Sequence, residues 1–157
     1  ISMLSSSTLG TSDFFTAAFP AEYGNASSGV FDLNLRNGNT RKREYAFMVG
    51  ALGIEAAAEG YFKSGGKASY LVNYRYSTLG LLKHVIDDMG GFVPEYQDLS
   101  FKMNFPTQKA GTFSVFGLGG SNKSENQLEA DSSKWDEDTD NFQGIEKGKT
   151  GIAGVSH

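Results

Sequence analysis

The feature that most constrains this chain is an alternation of apolar and polar residues with a period of two, which is clearest over residues 96–105. The apolar positions there are Leu99, Phe101, Met103 and Phe105, and the polar positions are Asp98, Ser100, Lys102 and Asn104. Successive side chains of a β-strand point to opposite faces of a sheet, whereas an amphipathic helix repeats about every 3.6 residues. The pattern therefore predicts a strand with one apolar and one polar face.

The same alternation recurs in segments that are separated by glycine-rich, lysine-rich or acidic breaks. The predicted strands cover residues 29–36, 44–52, 54–62, 68–82, 96–105 and 112–123, and a further strand begins near residue 150. Pro106 ends one of them, because proline cannot donate a hydrogen bond to the ladder. Consecutive strands of this kind pair as antiparallel neighbours. The sequence therefore predicts an all-β chain built as an antiparallel meander.

The lengths of the connections between strands limit which all-β architectures are possible. Tight turns are predicted at residues 63–67 and 106–111, and longer loops at 83–95 and 124–149, with the short break at Gly53 as the exception. An outer-membrane β-barrel has short periplasmic turns at one rim and longer extracellular loops at the other. The alternation of lengths therefore favours a barrel, with the acidic loop outside the cell.

The amino-acid composition agrees with a β-barrel and excludes several other classes of protein and site. The chain of 157 residues holds 20 Gly, 12 Phe and 7 Tyr but no Cys, which excludes disulfides, thiol catalysis and cysteine-type zinc sites. No apolar run approaches the roughly 18 residues of a transmembrane helix, although barrel strands alternate and leave no such run. The net charge of −4, with Lys and Arg spread along the chain, argues against a nucleic-acid partner.

A soluble antiparallel sandwich is the competing prediction, because its strands show the same alternation of apolar and polar residues. Polar side chains such as Glu55 and Arg75 fit a wet lumen and bulk solvent equally well. The apolar faces are rich in aromatic residues, including Tyr70, Tyr74 and Tyr76, and this favours lipid contact and interfacial aromatic girdles.

A more specific signal lies in residues 13–39, which read DFFTAAFPAEYGNASSGVFDLNLRNGN. This string closely resembles the end of the plug domain in TonB-dependent outer-membrane transporters, especially the SusC-like receptors of Bacteroidetes. The matching core is residues 19–25 and 28–30, followed by a strand to Asn39. The remaining chain resembles the first barrel segments of that family, including the stretch Tyr-Arg-Tyr-Ser at 74–77.

The residue types in this string also have a physical interpretation. Pro20 is expected to stiffen an extended approach to the motif, and Gly24 and Asn25 tolerate positive φ. Gly29 is expected to open a strand where another part of the backbone passes closely. These features predict an irregular, compact segment.

The resemblance implies that residues 1–41 are the C-terminal part of a plug domain and residues 42–157 are the first strands of an outer-membrane β-barrel. The family's barrels have about 22 strands around a plugged lumen. Each strand needs about 9–11 residues, so we expect this chain to be an internal piece of a longer protein. The family's TonB-contacting box is expected to precede it.

The function that the resemblance implies is TonB-dependent active uptake of a nutrient across the bacterial outer membrane. The cargo would be an oligosaccharide, a peptide or a metal chelate. No bond is broken, so neither a catalytic residue nor a cofactor is expected. The implied partners are TonB, outer-membrane lipid and, for a SusC-like receptor, a SusD-like surface lipoprotein. A surface adhesin or structural β-sandwich protein is the alternative function, and an outer-membrane hydrolase comes third.

Charged residues on the polar faces of the strands form the candidate site. Charges inside a lumen need hydrogen-bonded or oppositely charged partners. We therefore expect Glu55, Glu59 and Arg75 to bind the plug, with Glu22 and Arg36 as the candidates on the plug side.

A calcium site is the first of two weaker chemical interpretations. Asp136, Asp138 and Asp140 have the one-three-five spacing of a calcium loop. However, Asn141 stands where that loop requires Gly, and Lys147 stands where it requires a bidentate Glu. The stretch is therefore predicted to be a solvated acidic loop.

Histidine catalysis and ligand stacking are the other weak signals. His84 and His157 are the only histidines, and neither has a Ser or Asp at a spacing that suggests a catalytic triad. Trp135 could stack on a sugar or pack against its own loop equally well. None of the three is predicted to be a site residue.

Overall fold

The computed structural model describes residues 4–16, 20–24, 28–51, 53–79, 92–126 and 144–157. Within these residues the chain is all-β, and its strands form two antiparallel sheets. The strands are β1 (Asp13–Phe15), β2 (Val30–Asp32), β3 (Glu44–Gly50), β4 (Gly53–Tyr61), β5 (Ser69–Tyr76), β6 (Phe92–Pro106), β7 (Thr112–Asn126) and β8 (Gly144–Ser156). One 3-10 turn covers Ala21–Tyr23. In the part of the chain described here, no helix is long and apolar enough to cross a membrane.

The larger sheet has six strands in the order of the chain, from β3 to β8, and each strand pairs with the next. Two of its connections are tight turns with a glycine at positive φ, namely Gly65 at 74° and Gly111 at 73°. Glycine adopts this conformation without the steric penalty of a side chain. The prediction of an antiparallel all-β meander is confirmed.

The later strands extend further than the sequence predicts. β6 begins at Phe92 rather than near residue 96, and β8 begins at Gly144 rather than near residue 150. Residues 92–95, 124–126 and 144–149, which the sequence assigned to loops, therefore belong to strands. The ladders continue through these stretches, with Phe92 opposite Asn126 and Asn126 opposite Gly144, so pairing with a long neighbour overrides weak local alternation.

The residues before β3 form a separate unit, called here the N-terminal segment (the described residues between 4 and 39). β1 and β2 pair with each other, and Leu9 forms an isolated bridge with Leu35. The strand predicted at 29–36 was too long, because the chain leaves the ladder after Asp32. Gly24, which tolerates positive φ, closes the 3-10 turn at a helical φ of −58°. Asn25 lies outside the described residues.

The register of the six-stranded sheet separates its residues into two faces. One row across β3 to β6 is Tyr45, Ala58, Val72 and Phe101. A row on the opposite face is Glu55, Arg75 and Asp98. We call the face with the first row the outer face and the face with the second row the inner face. The predicted alternation along β5 and β6 is confirmed.

On β5 and β6 the inner face is mostly polar and buried, whereas the outer face of the sheet is apolar and largely exposed. Two exposed apolar residues, Met48 of β3 and Ile152 of β8, lie on the inner face near the edges of the sheet. Buried inner-face residues of β5 and β6 include Ser69, Asn73, Asp98, Ser100 and Asn104. Exposed outer-face residues include Tyr45, Phe47, Val49, Tyr74, Tyr76, Leu99, Phe105, Phe113 and Val155. Among the described residues, the large hydrophobic side chains that are buried are Leu71 and Leu79. This distribution is the reverse of that in a soluble sheet, which buries its apolar face.

Candidate functional site: the polar contact between the N-terminal segment and the sheet

The N-terminal segment lies on the inner face, and its strongest contact is an ion pair between Arg36 and Glu59 of β4. Two parallel hydrogen bonds of 2.8 Å join the guanidinium Nη atoms to the two carboxylate oxygens. The Arg36 Nε donates to the Ser7 carbonyl at 2.6 Å, and the backbone N–H of Asn39 donates to Glu59 at 2.8 Å. The hydrogen-bonded carboxylate raises the pKa of Arg36 above its ordinary value. Such bidentate geometry fixes orientation as well as adding energy.

Glu55 binds the first residues of the N-terminal segment. One of its carboxylate oxygens accepts from the Ser5 hydroxyl at 2.8 Å, the Ser7 hydroxyl at 2.7 Å and the Asn73 side-chain amide at 2.7 Å. Ser5 is itself buried. Three neutral donors compensate a partly desolvated carboxylate in place of a cation. Glu55 therefore holds the start of the segment against β4 and β5.

Lys102 makes a third contact, which the sequence did not predict. Its ammonium on β6 donates to the backbone carbonyl of Leu35 at 2.7 Å. Close by in the chain, Gly38 lies directly against the backbone of Tyr70 in β5, and a Cβ at this glycine would overlap the Tyr70 carbonyl. The segment can therefore reach this position only because residue 38 has no side chain.

Arg75 lies in the same row but has its ion pair within the sheet. Its guanidinium donates two hydrogen bonds of 2.9 Å to Asp98, directly opposite on β6. The Asp98 side chain is only 3% exposed. On the other side, Arg75 stands opposite Glu55, so it belongs to the charged row beneath the segment. Its ion-pair partner Asp98 thus lies on the neighbouring strand.

Glu22 does not take part in the contact. It is exposed in the 3-10 turn, where the neighbouring Tyr23 donates its hydroxyl to Asp32 at 3.2 Å. None of the sheet residues that the structure describes binds Glu22. Of the five predicted residues, Arg36 and Glu59 bind each other, Glu55 binds the segment, Arg75 binds the sheet and Glu22 lies apart.

Several buried polar atoms beneath the segment have no protein partner among the described residues. They are the Ser69 hydroxyl, the Asn73 carbonyl oxygen and the Ser100 hydroxyl, all on the inner face. Buried groups of this kind are usually satisfied by ordered water. The contact thus depends on hydrogen bonds and charges rather than on apolar packing. Water can replace such bonds at modest cost, so the segment and the sheet are chemically suited to separate.

The weaker sequence signals fall largely outside the described residues. This applies to His84, Trp135 and the aspartates of the calcium-like spacing at 136–140. Within the described residues, no group of three or more His, Asp or Glu side chains could hold a metal ion. His157 packs against Phe113 with ring centroids 4.6 Å apart.

Sequence reasoning missed the contributions of Ser5, Ser7 and Lys102. A signal for the two serines was available, because a run of hydroxyls can supply the donors that a buried carboxylate requires. Lys102 had no comparable signal, since its acceptor is a backbone carbonyl. Comparison with protein-family models, with curated proteins and with solved structures finds no match for this chain.

Proposed function

We propose that this chain is part of a TonB-dependent transporter that takes up a nutrient, namely an oligosaccharide, a peptide or a metal chelate, across the bacterial outer membrane. The observation that carries the proposal is the reversed burial of the six-stranded sheet. Across β4 to β6 its inner face is largely polar and contacts the N-terminal segment, and its outer face is apolar and exposed. The plug-like string at 13–39 supports the same interpretation.

A lipid bilayer explains the apolar outer face. Side chains such as Phe47, Tyr74 and Leu99 would be unfavourable against water, but they match the hydrocarbon region of a membrane. β4, β6, β7 and β8 have 9 to 15 residues, which is enough for a spanning strand of about 9–11, and β3 and β5 have 7 and 8. A soluble sandwich would require a second layer over this face, and the described residues provide none.

A plug explains the polar inner face. A segment that must rearrange during each transport cycle cannot be held by a large apolar interface, because separating such an interface exposes hydrophobic surface to water. The contacts of Arg36, Glu55 and Lys102 are polar, and water can take the place of each partner. We interpret this contact as the junction between plug and barrel, with the division near residue 41.

Fractionation of cells that express the full-length protein tests the membrane part of the proposal. We expect the protein in the outer-membrane fraction, soluble only with detergent and with a gel mobility that changes on boiling. A monodisperse protein in detergent-free buffer would contradict the proposal and support the soluble sandwich.

Uptake measurements test the transport part. Cells with and without the full-length gene are supplied with labelled maltoheptaose, cyanocobalamin, a ferric siderophore or a hexapeptide. We expect the gene to increase uptake of one of these classes, and deletion of TonB or addition of a protonophore to abolish the increase. An outer-membrane protein that supports no TonB-dependent uptake of any class would favour an adhesin.

A further inference from the structure

One end of the six-stranded sheet carries a cluster of positive charges. We call this end the short-turn rim, and it comprises residues 40–43, 62–68 and 107–111. Its cations are Arg41, Lys42, Arg43, Lys63, Lys67 and Lys109, and these three stretches contain no acidic residue. Glu44 begins β3 beside them, and it pairs with Lys42 at 2.6 Å. The rim therefore has a strong excess of positive charge.

Five of these six cations form no ion pair within the part of the chain that the structure describes. Arg41, Lys63, Lys67 and Lys109 are exposed, and none forms an ion pair with a residue in the described part of the chain. The Arg43 guanidinium lies 5.0 Å from the centre of the Tyr61 ring, which is a cation–π contact. Unpaired like charges close together repel one another, so this rim is better stabilised by an external anion.

Aromatic side chains lie on the outer face immediately next to the rim. Phe62 stacks on Phe105 and tilts against Tyr70, with ring centroids 5.4 Å apart in both pairs. Phe113 is directly opposite Phe105 on the neighbouring strand. Next to the rim, the aromatic rings of the outer face thus give way directly to cations. Membrane interfaces favour this order, since aromatic rings lie at the headgroup level and lysines extend beyond them.

The opposite end of the sheet has a different charge pattern. Lys123 pairs with Glu125 at 2.7 Å and stands opposite Glu95 on β6. Lys147 and Lys149 follow Glu146 in β8, and Lys147 stands opposite Lys123 on β7. Lys123 at this end therefore has carboxylates near it, whereas Arg41, Lys63, Lys67 and Lys109 of the short-turn rim form no ion pair with a described residue.

We infer that the short-turn rim binds the phosphate headgroups of anionic phospholipids in the leaflet next to it. This inference rests on the proposed function, because it requires the outer face to lie in a bilayer. The aromatic row positions the rim at the depth of the headgroups, and the lysines and Arg41 supply the charge. A juxtamembrane cation contributes to anionic-lipid attraction in this way when it lies near the surface.

Native mass spectrometry of the full-length protein tests the inference. The protein is inserted into vesicles of phosphatidylcholine with one quarter phosphatidylglycerol, and insertion is checked by protease protection. Retained lipids are then counted for the wild type and for Lys63→Gln/Lys67→Gln. We expect the wild type to retain phosphatidylglycerol in preference to phosphatidylcholine. In the variant, we expect this preference ratio to fall about fivefold for each lysine removed.

A matched control removes the same charge from the opposite end, as Lys147→Gln/Lys149→Gln. We expect this variant to keep the wild-type preference, and Lys63→Arg/Lys67→Arg to keep it as well. Equal losses in the two glutamine variants, or no preference in the wild type, would overturn the inference while leaving transport intact. Failure of the protein to insert would instead contradict the proposed function.

Discussion

The ion pair between Arg36 and Glu59 gives the sharpest prediction about how the N-terminal segment is held. The perturbation is a double-mutant cycle in the full-length protein, with Arg36→Ala, Glu59→Ala and the two combined. Arg36→Ala leaves Glu59 with the Asn39 N–H as a donor but without a counter-charge. Glu59→Ala leaves the guanidinium with the Ser7 carbonyl.

The exposure of the two side chains sets the expected loss of docking free energy between two limits. Exposed ion pairs contribute about 0.2–1 kcal/mol, whereas removing one partner of a buried pair costs about 3–5 kcal/mol. The Arg36 side chain is 35% exposed and the Glu59 side chain 15% exposed, and their geometry is bidentate. We therefore expect each single substitution to weaken docking of the segment by about 2 kcal/mol, with a coupling energy of about 1.5 kcal/mol.

Amide hydrogen exchange of a peptide that covers residues 4–16 measures this docking. The Gly10 amide donates to the Asn34 carbonyl at 2.7 Å within the segment, and neither substitution alters it. It reports docking because an isolated two-stranded pair is only marginally stable in water and opens once it leaves the sheet. A loss of about 2 kcal/mol corresponds to exchange that is about 30-fold faster when opening is at equilibrium. The double variant should lose about 2.5 kcal/mol, so its exchange should be only about twofold faster than that of either single variant.

Additive effects would refute this reasoning. If the coupling energy is below about 0.5 kcal/mol, the two residues act independently. The ion pair would then not hold the segment on the sheet. A peptide from β7, far from the contact, serves as the internal control and should exchange at the same rate in all four proteins.

Three other substitutions test separate parts of the structure. Gly38→Ala should weaken docking of the segment by more than about 2 kcal/mol in the exchange assay, because the new methyl group would overlap the β5 backbone. Leu99→Lys should lower the free energy of unfolding in vesicles by about 2–4 kcal/mol in a urea titration, because a charge would enter lipid. Lys102→Met should speed exchange of the segment about fivefold, because the Leu35 carbonyl loses its donor at a cost of about 1 kcal/mol.

Each of these predictions has a control or a contrary result. Gly24→Ala should be nearly silent, since this glycine has helical φ and the nearest atom to an added Cβ is 3.5 Å away. An equal effect at Gly24 and Gly38 would contradict the close approach at Gly38. Unfolding free energy unchanged by Leu99→Lys would indicate that this 44% exposed side chain faces water. Unchanged exchange in Lys102→Met would show that its hydrogen bond contributes nothing to docking.

The sequence predicted the faces of the strands much better than their ends. In β6 the alternation from Asp98 to Phe105 assigned each side chain to its face, because a strand has a strict period of two. The start of β6 at Phe92 was missed, since Pro94 interrupts the local pattern of a strand. Pairing with β7 keeps this stretch in the ladder, and pairing is a long-range effect that local sequence does not contain.

The candidate contact residues were chosen from the sequence by their charge, because their geometry is not visible in the sequence. The need of buried carboxylates for partners pointed to Glu55 and Glu59, and in the structure both bind residues of the N-terminal segment. The same reasoning could not choose between possible partners, so it assigned Arg75 to the plug although Asp98 is directly opposite. Glu22 was included for its charge alone, and its place in a 3-10 turn was not evident from the sequence.

The central claim is that the outer face of the six-stranded sheet lies against lipid, and electron paramagnetic resonance of single spin labels tests it most directly. These 157 residues contain no cysteine, so a label can be placed at Leu99, Phe101 or Met103 of β6, with Glu95 of the same strand as the reference. The full-length protein is measured in vesicles with oxygen, which concentrates in lipid, and with a nickel chelate, which stays in water.

We predict high oxygen and low nickel accessibility at Leu99, Phe101 and Met103, and the opposite ratio at Glu95. The reason is that the first three side chains lie in the exposed apolar face, whereas Glu95 lies at the charged end of the strand beside Lys123. Nickel accessibility at residues 99, 101 and 103 as high as at Glu95 would contradict the claim.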